Sequence, residues 1–159
     1  MVTRKRPWNR INIPVYSLST RDEAKGNMNI CTYVTAVSLE SKTYAISVYK
    51  ETKTLENIQK NKRAILQFLG KQHVTLVNRL GKQSGFKRDK LKRLQPQLSY
   101  TNGLPYLNDA LAILELEIIQ LIDVGDHILA IAKVVNYKNN TDGEQLMLQD
   151  LRDAKIVNI

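Results

Sequence analysis

The sequence has little cysteine and few aromatic residues: it contains one cysteine and two histidines among 159 residues, and its aromatic fraction is 6%. One cysteine cannot close an intrachain disulfide, and with two isolated histidines it makes a poor set of metal ligands. No apolar run approaches the roughly 18 residues that a membrane-spanning helix needs, and the basic N-terminal residues lead into no apolar signal core. We therefore expect no metal site, no membrane association and a cytoplasmic location.

The short motifs of several large enzyme classes are also missing. The sequence contains no G-x-S-x-G, no H-E-x-x-H, no P-loop and no G-x-G-x-x-G. Covalent catalysis at Cys31 has little support, because no neighbouring feature indicates an exposed thiol or a lowered pKa. The sequence thus offers little support for these chemistries.

Positive charge is abundant. Lysine and arginine number 24 against 15 acidic residues, for a formal net charge of +9, and the isoelectric point is near 9.7. Much of the excess lies in two stretches, 3–10 (TRKRPWNR) and 81–93 (GKQSGFKRDKLKR). Nucleic acid, an anionic membrane and a phosphorylated cofactor would all be attracted, and a solvated surface explains such clusters equally well.

The distribution of Ile, Val, Thr and Tyr predicts a mainly β protein with a few short helices. No linker or repeat divides the chain, so we expect a single domain over 1–159. Strands are expected at 30–38, 43–49, 64–69, 112–122 and 128–137. In the fourth of these, aliphatic residues alternate with Glu115 and Glu117, a period of two that is typical of a strand. The short link 123–126 would join the last two strands in a hairpin, and the whole pattern favours an antiparallel barrel.

Two short helices and one long loop complete the prediction. Thr54 is expected to cap the first helix, with Leu55 and Ile58 on its apolar side. The second helix is expected at 72–80, where apolar residues recur at helical spacing. The stretch 83–105 is expected to be mainly a long irregular excursion, and loops of that length are often functional.

Residues at the start of the first helix form a candidate anion site. Lys50, Lys53 and Thr54 stand just before the helix's first amide groups, where unpaired N–H donors and two ammonium groups can hold a phosphate. A capped helix with two exposed lysines is the alternative interpretation.

Other candidate contacts are less specific. Asn29, Thr32 and Thr35 can hydrogen-bond a flat polar ligand along a strand, or they form the wet face of that strand. His127 follows a turn at the mouth of the predicted hairpin, which suits a proton donor or a substrate contact as well as a structural histidine. His73 has no partnered motif, and we expect it at the surface or in packing.

Four segments, taken in order, resemble the flavin reductase-like family with the FMN-binding split-barrel fold, particularly its short flavoredoxin-type members. The segments are N-M-N-I-C-T-Y at 27–33 followed by V-S at 37–38, T-L-E-N-I at 54–58, S-G-F-K-R-D-K at 84–90, and V-G-D-H at 124–127. Two positions depart from the family pattern: Ile30 stands where threonine is usual, and Tyr33 where tryptophan is common. The similarity extends over roughly 10–137.

The resemblance implies an antiparallel FMN-binding split β-barrel that pairs as a homodimer with FMN at or near the interface. It implies that Asn29, Ile30, Cys31, Thr32 and Tyr33 border the isoalloxazine and ribityl chain, that Tyr49, Lys50, Lys53 and Thr54 hold the phosphate, that Ser84, Gly85 and Lys90 close over the cofactor, and that His127 lies where nicotinamide or substrate arrives.

The implied activity is that of an oxidoreductase: hydride transfer from NAD(P)H to flavin, followed by electron transfer to a small acceptor or to free flavin. The protein would supply binding, orientation and electrostatics, and the cofactor the redox chemistry. An FMN-binding electron carrier or ferric reductase that uses no nicotinamide directly remains an alternative. A basic barrel that binds single-stranded nucleic acid is a second one, although a chain with so few aromatic residues is poorly equipped for base stacking.

Overall fold

The computed structural model describes residues 5–159, so Thr3 and Arg4 of the first basic stretch lie outside the described residues. The strands are β1 (Tyr16–Arg21), β2 (Gly26–Met28), β3 (Val34–Ala36), β4 (Thr43–Tyr49), β5 (Arg63–Phe68), β6 (Leu98–Thr101), β7 (Leu104–Leu107), β8 (Ala112–Asp123) and β9 (His127–Asn139). The α-helices are α1 (Lys53–Asn61), α2 (Val77–Gly81) and α3 (Leu148–Asp153). Across residues 5–159, no helix is long and apolar enough to span a membrane.

Seven strands form one antiparallel sheet in the order β2-β1-β5-β8-β9-β4-β3. Its two edges are linked by a single stretch of chain. β2 pairs with β1, Cys31 then exchanges two backbone hydrogen bonds of 2.9 Å with Tyr16, and β3 pairs with β4. Because one segment bonds to both edges, the sheet closes into a barrel that is split along 29–33. The predicted mainly β, antiparallel barrel with few short helices is confirmed.

The core lies on both sides of the strand pair β1 and β5. Successive residues of a strand point to opposite faces, and Ile65 and Leu66 are both fully buried. Ile65 packs with Met28 and Leu69 in one apolar cluster, whereas Leu66 packs with Leu18 in the other, inside the barrel. Burial on both faces explains why Ala64, Ile65 and Leu66 are apolar in succession.

The N-cap of helix α1 lies two residues earlier than the cap expected at Thr54. Thr52 is the N-cap, and its hydroxyl oxygen accepts a hydrogen bond from the Leu55 amide at 3.2 Å. Thr54 lies inside the first turn, and its hydroxyl instead accepts a hydrogen bond from Asn27. The Thr54 prediction was therefore wrong. Lys62 is the C-cap of the helix and has a left-handed backbone (φ 55°). Its amide donates a hydrogen bond to the Ile58 carbonyl.

Several element boundaries also differ from the prediction. The strand expected at 30–38 is reduced to β3, because 29–33 crosses between the sheet edges. The helix expected at 72–80 is a 3₁₀ helix, Lys71–Leu76, followed by α2. The stretch 83–105 contains a 3₁₀ helix and the β6–β7 hairpin, so reading it as mainly irregular was wrong. The expected strand at 43–49 is correct, and the strands at 64–69, 112–122 and 128–137 lie within two residues of β5, β8 and β9.

His73 is a packing residue. Its side chain is only 3% exposed, Nδ1 accepts a hydrogen bond from the Gly70 amide at 2.9 Å, and Nε2 lies 2.8 Å from Asp109 Oδ1. Since Nδ1 accepts, Nε2 carries the proton and donates to the carboxylate. The sequence carried no signal for this Asp109 partner, which lies 36 residues away.

Candidate functional site

A cavity of about 490 Å³ lies where the 29–33 crossing passes the end of β4 and the start of α1. Its size suits a small-molecule ligand. All the candidate site residues except Thr35, Lys50 and Lys53 line it, namely Asn29, Ile30, Cys31, Thr32, Tyr33, Tyr49, Thr54, Ser84, Gly85, Lys90 and His127. The fold thus gathers four segments that are far apart in the sequence into one concave site.

Lys50 and Lys53 form ion pairs and do not belong to this concave site. The Lys50 ammonium binds Asp123 Oδ2 at 2.7 Å, and the Lys53 ammonium lies between Asp22 at 3.0 Å and Glu56 at 2.9 Å. Neither residue lines the cavity. Because each ammonium already has a carboxylate partner, the sequence-based placement of these two lysines in a phosphate site has no structural support.

The start of α1 contributes hydroxyl groups to the cavity wall. Thr52 Oγ1 donates to the Tyr49 carbonyl at 2.8 Å while capping the helix, and Thr54 is buried with its hydroxyl hydrogen-bonded to Asn27 at 3.1 Å. The first amides of a helix carry a partial positive charge and lack helical partners. The start of α1 thus remains a candidate site for an anionic group through Thr54, and Thr52 is a wall residue that the sequence did not predict.

The segment 82–91 forms the opposite wall. It turns tightly, with the Lys87 and Arg88 amides both donating to the Ser84 carbonyl. A Cβ atom at Gly85 would overlap Asn27 Oδ1 and Lys53 Cβ. Glycine at position 85 therefore lets this backbone lie against the start of α1.

Lys90 is the buried cation of the site. Its side chain lines the cavity, the residue is 7% exposed, and its ammonium donates a hydrogen bond of 2.7 Å to the Leu80 carbonyl. Burial lowers the pKa of Lys90 to about 8. Within residues 5–159 it forms no ion pair, so an anionic ligand group would be its first charged partner.

His127 stands at the mouth of the cavity between two tyrosine rings. Its ring centroid lies 5.5 Å from that of Tyr33 and 5.4 Å from that of Tyr49. Register pairing of β4 with β9 places Tyr49 directly opposite His127. The Asp126 carboxylate contacts His127 Nδ1 at 2.6 Å, and this hydrogen bond lowers the pKa of Asp126. An ionised Asp126 orients the imidazole and leaves Nε2 as its second polar atom.

Cys31 lies in the cavity wall but is poorly suited to covalent chemistry. It is 9% exposed, and burial raises the pKa of its thiol to about 12. The thiolate is the reactive form of cysteine, so the thiol is inert at neutral pH. Its position next to the cavity is consistent with a packing contact.

Sequence reasoning missed other residues of the wall. These are Ser47, Val48, Glu51, Thr52, Leu80, Gly81, Lys82 and Gln83. Lys82 and Gln83 directly precede Ser84 in the same basic stretch, and Glu51 and Thr52 fill the gap between two predicted contacts. Contiguity with predicted residues was thus an available signal for these four. Ser47 and Val48 belong to β4, and Leu80 and Gly81 to α2, and no motif marks these four.

The residues of the cavity suit a phosphorylated flavin such as FMN. The wall combines a helix start, threonine and serine hydroxyls and the Lys90 ammonium, which are donors that bind phosphate. The crossing at 29–33 brings backbone groups and the Ile30 and Tyr33 side chains, which suit a flat ring with polar edges. The donor set and the size of the cavity therefore fit the group.

A split antiparallel barrel with this cavity defines a small-ligand-binding protein with an anion-accepting end. Residues 8–155 match the model of the family described as flavin reductase like domain, and the chain belongs to that family. Membership supports a flavin as the class of cofactor and an oxidoreductase as the class of protein.

Individual relatives agree with this assignment. High molecular weight rubredoxin of Moorella thermoacetica is 28% identical over 134 residues, which are 83% of this chain and 58% of that protein. The chain thus spans less than two thirds of the length of this relative. An FMN-binding protein from Thermus thermophilus (TM-score 0.76, 24% identity, 87% of this chain and 78% of that chain) shares the fold. So does the styrene monooxygenase flavin reductase of Pseudomonas putida S12 (TM-score 0.73, 22% identity, 86% of each chain).

Proposed function

We propose that the chain binds FMN in this cavity, accepts hydride from NAD(P)H and passes electrons to a small acceptor. The observation that carries the proposal is the joining of the four flavin reductase-like segments around one cavity whose buried cation, Lys90, has no carboxylate partner within residues 5–159. Bound FMN would supply the hydride acceptor and the electron store. The single domain over 1–159 is part of the same proposal.

In this proposal the two ends of the cavity have different tasks. Thr52, Thr54, Ser84 and Lys90 bind the phosphate, because a helix start, hydroxyls and a desolvated ammonium are its preferred partners. The crossing at 29–33 binds the ring, largely through backbone groups. Backbone N–H groups beside the ring edge would stabilise negative charge there.

His127 has the role of positioning the incoming nicotinamide. Asp126 fixes the imidazole, and the rings of Tyr33 and Tyr49 form aromatic walls on either side of it. Tyr33 is 63% exposed, so this mouth is open to solvent and accessible to a second ligand. A histidine held in this way can also relay a proton near neutral pH.

A homodimer belongs to the proposal because large apolar side chains are exposed along one half of the sheet. Val135 and Tyr137 on β9 are 54% and 70% exposed. Val37 and Leu39, which follow β3, are 53% and 83% exposed. Such exposure is typical of an association surface. Sedimentation velocity tests it: a dimer is expected, and a monomer at micromolar concentration would contradict it.

The name of the Moorella relative, a rubredoxin, favours a small electron-carrier protein as the acceptor. The same name is also consistent with the second candidate function, an FMN-binding electron carrier that uses no nicotinamide directly. Anaerobic mixing of the FMN-loaded chain with NADH, and separately with NADPH, tells the two apart. Bleaching of the flavin band by either dinucleotide supports the reductase. Bleaching by dithionite alone would establish the carrier.

A further inference from the structure

The segment beside the cavity carries an unneutralised cluster of cations. We define the basic rim as the exposed residues Lys82, Lys87, Arg88, Lys92 and Arg93. Within residues 5–159 none of them takes part in an ion pair, whereas Lys50, Lys53, Lys60 and Lys71 each have a carboxylate partner. Asp89 is the one acid in 82–93, and its carboxylate accepts the Leu91 amide at 3.1 Å.

The basic rim is held in place by the fold. Its neighbours Lys90, Leu91 and Leu94 are buried, and the Lys82 ammonium donates to the Ile156 carbonyl at 2.9 Å. A charged surface on an ordered backbone loses little conformational entropy when it binds. The rim also adjoins the site, because Lys82 and Ser84 line the cavity. A partner on the rim would therefore lie next to the cavity opening.

We propose that the basic rim is the docking surface for an acidic electron-carrier protein that takes electrons from the bound flavin. This inference rests on the proposed function and names its acceptor. Each of two acceptor molecules takes one electron, its metal centre passing from Fe(III) to Fe(II). NAD(P)H supplies the electron pair and becomes NAD(P)⁺, and one proton is released to solvent.

An acidic protein fits the rim better than nucleic acid does. Single-stranded nucleic acid needs aromatic side chains on which successive bases stack, and Phe86 is the one aromatic residue in 82–93. Phe86 is 54% exposed and directly precedes Lys87 and Arg88 in the chain. An apolar residue surrounded by charges is the arrangement of a small transient protein interface, in which the charges steer the encounter.

The test compares two variants with equal loss of charge. The rim variant carries Lys87→Gln, Arg88→Gln, Lys92→Gln and Arg93→Gln, and leaves Lys82 intact because it lines the cavity. The control variant carries Lys25→Gln, Lys42→Gln, Lys62→Gln and Lys155→Gln at exposed positions elsewhere. Both have a formal net charge of +5, four below +9, so a general effect of net charge changes both equally.

The probe is a purified acidic rubredoxin, followed by the absorbance of its oxidised iron, with menadione as the uncharged small acceptor. We expect the rim variant to lower kcat/KM for the rubredoxin by roughly tenfold or more at low salt and to flatten its salt dependence. The control variant should stay within about twofold of the wild type, and menadione reduction should be unchanged in both.

Calorimetry measures the binding of the same rubredoxin to the flavin-free chain. This measurement tests the docking surface independently of the flavin proposal. Weaker binding by the rim variant alone supports the docking surface even if the flavin proposal fails. Equal losses in the rim and control variants would overturn it. So would rim-dependent binding of an oligodeoxythymidine with no binding of the rubredoxin.

Discussion

The Lys90 ammonium and the Leu80 carbonyl form a buried hydrogen bond of 2.7 Å. This bond ties the end of the segment 82–91 to the last turn of α2. It uses one of the three donors of the ammonium, and the side chain lines the cavity. Lys90 therefore anchors a wall and provides a buried positive charge at the site.

The first prediction concerns phosphate recognition by Lys90. We expect Lys90→Met to weaken FMN binding by roughly tenfold to a hundredfold, since a hydrogen bond to a charged group contributes about 1.5–3 kcal/mol. Riboflavin has the same ring without the phosphate, so its affinity should change little. Lys90→Arg should restore part of the FMN affinity, and Lys92→Met at an exposed position is the matched control. Equal losses for FMN and riboflavin would show that Lys90 acts only on the shape of the wall.

The second prediction concerns pH. The pKa of Lys90 is lowered to about 8 from 10.5. The folded chain without ligand therefore loses the Lys90 proton at a lower pH than an ordinary lysine does. FMN affinity should therefore fall as pH rises through about 8, and this fall should be absent in Lys90→Met. Fluorescence titration of FMN from pH 6 to 10 checks it.

The same shift has the opposite effect on folding. Between pH of about 8 and 10.5 the unfolded chain binds more protons at Lys90 than the folded chain does, so the Lys90 contribution to stability grows as pH rises across this window. Urea unfolding of the wild type and of Lys90→Met, compared at the two ends of the window, measures it. A stability difference that moves the other way would contradict the lowered pKa.

The third prediction concerns Glu115, a buried carboxylate on β8. It accepts hydrogen bonds from Thr101 at 2.9 Å and from Asn102 at 2.8 Å, and thereby holds the β6–β7 hairpin on the sheet. We expect Glu115→Ala to lower the free energy of unfolding by about 1–3 kcal/mol, because it removes the hydrogen bonds that a buried carboxylate accepts from the hairpin. Glu117→Ala, two residues along the same strand but exposed, should change it by less than about 0.5 kcal/mol. Equal effects in urea unfolding would contradict the role of Glu115.

The fourth prediction concerns His127. If it positions the nicotinamide, His127→Ala should lower kcat/KM for NAD(P)H by roughly tenfold to a hundredfold, an effect the size of a lost charge-assisted or positioning contact. The FMN dissociation constant should stay within about threefold. Asp126→Asn keeps the ring and removes its charged partner, so a smaller loss is expected. A matching loss of FMN affinity would assign His127 to cofactor binding instead.

Sequence patterns predicted the long strands well because their signals are local. The alternation of apolar and acidic residues in 112–122 and the Thr, Tyr, Ile and Val content of 43–49 are both properties of neighbouring residues. Glu115 and Glu117 show where local patterns fail to predict burial. A period of two places Glu115 and Glu117 on one face, yet Glu115 is 7% exposed and Glu117 is exposed. The bonds from Thr101 and Asn102 distinguish them, and no local pattern encodes these contacts.

The site was predictable to a similar degree and for a similar reason. Motif order identified most of the cavity wall, because the family resemblance carries long-range information that composition lacks. The Lys50 ammonium binds Asp123 and the Lys53 ammonium binds Asp22 and Glu56, and of these acids only Glu56 is close in the sequence. The helix-capping preference separately favoured Thr54, although Thr52 satisfies the same local preference and is the cap.

The measurement that tests the central claim most directly is the visible absorption spectrum of the purified chain, recorded before and after FMN is added and the excess removed. The account predicts that flavin bands remain with the protein, close to one FMN per chain, and that Lys90→Met retains less. A chain that retains no flavin and cannot be titrated with FMN would contradict the proposed cofactor site.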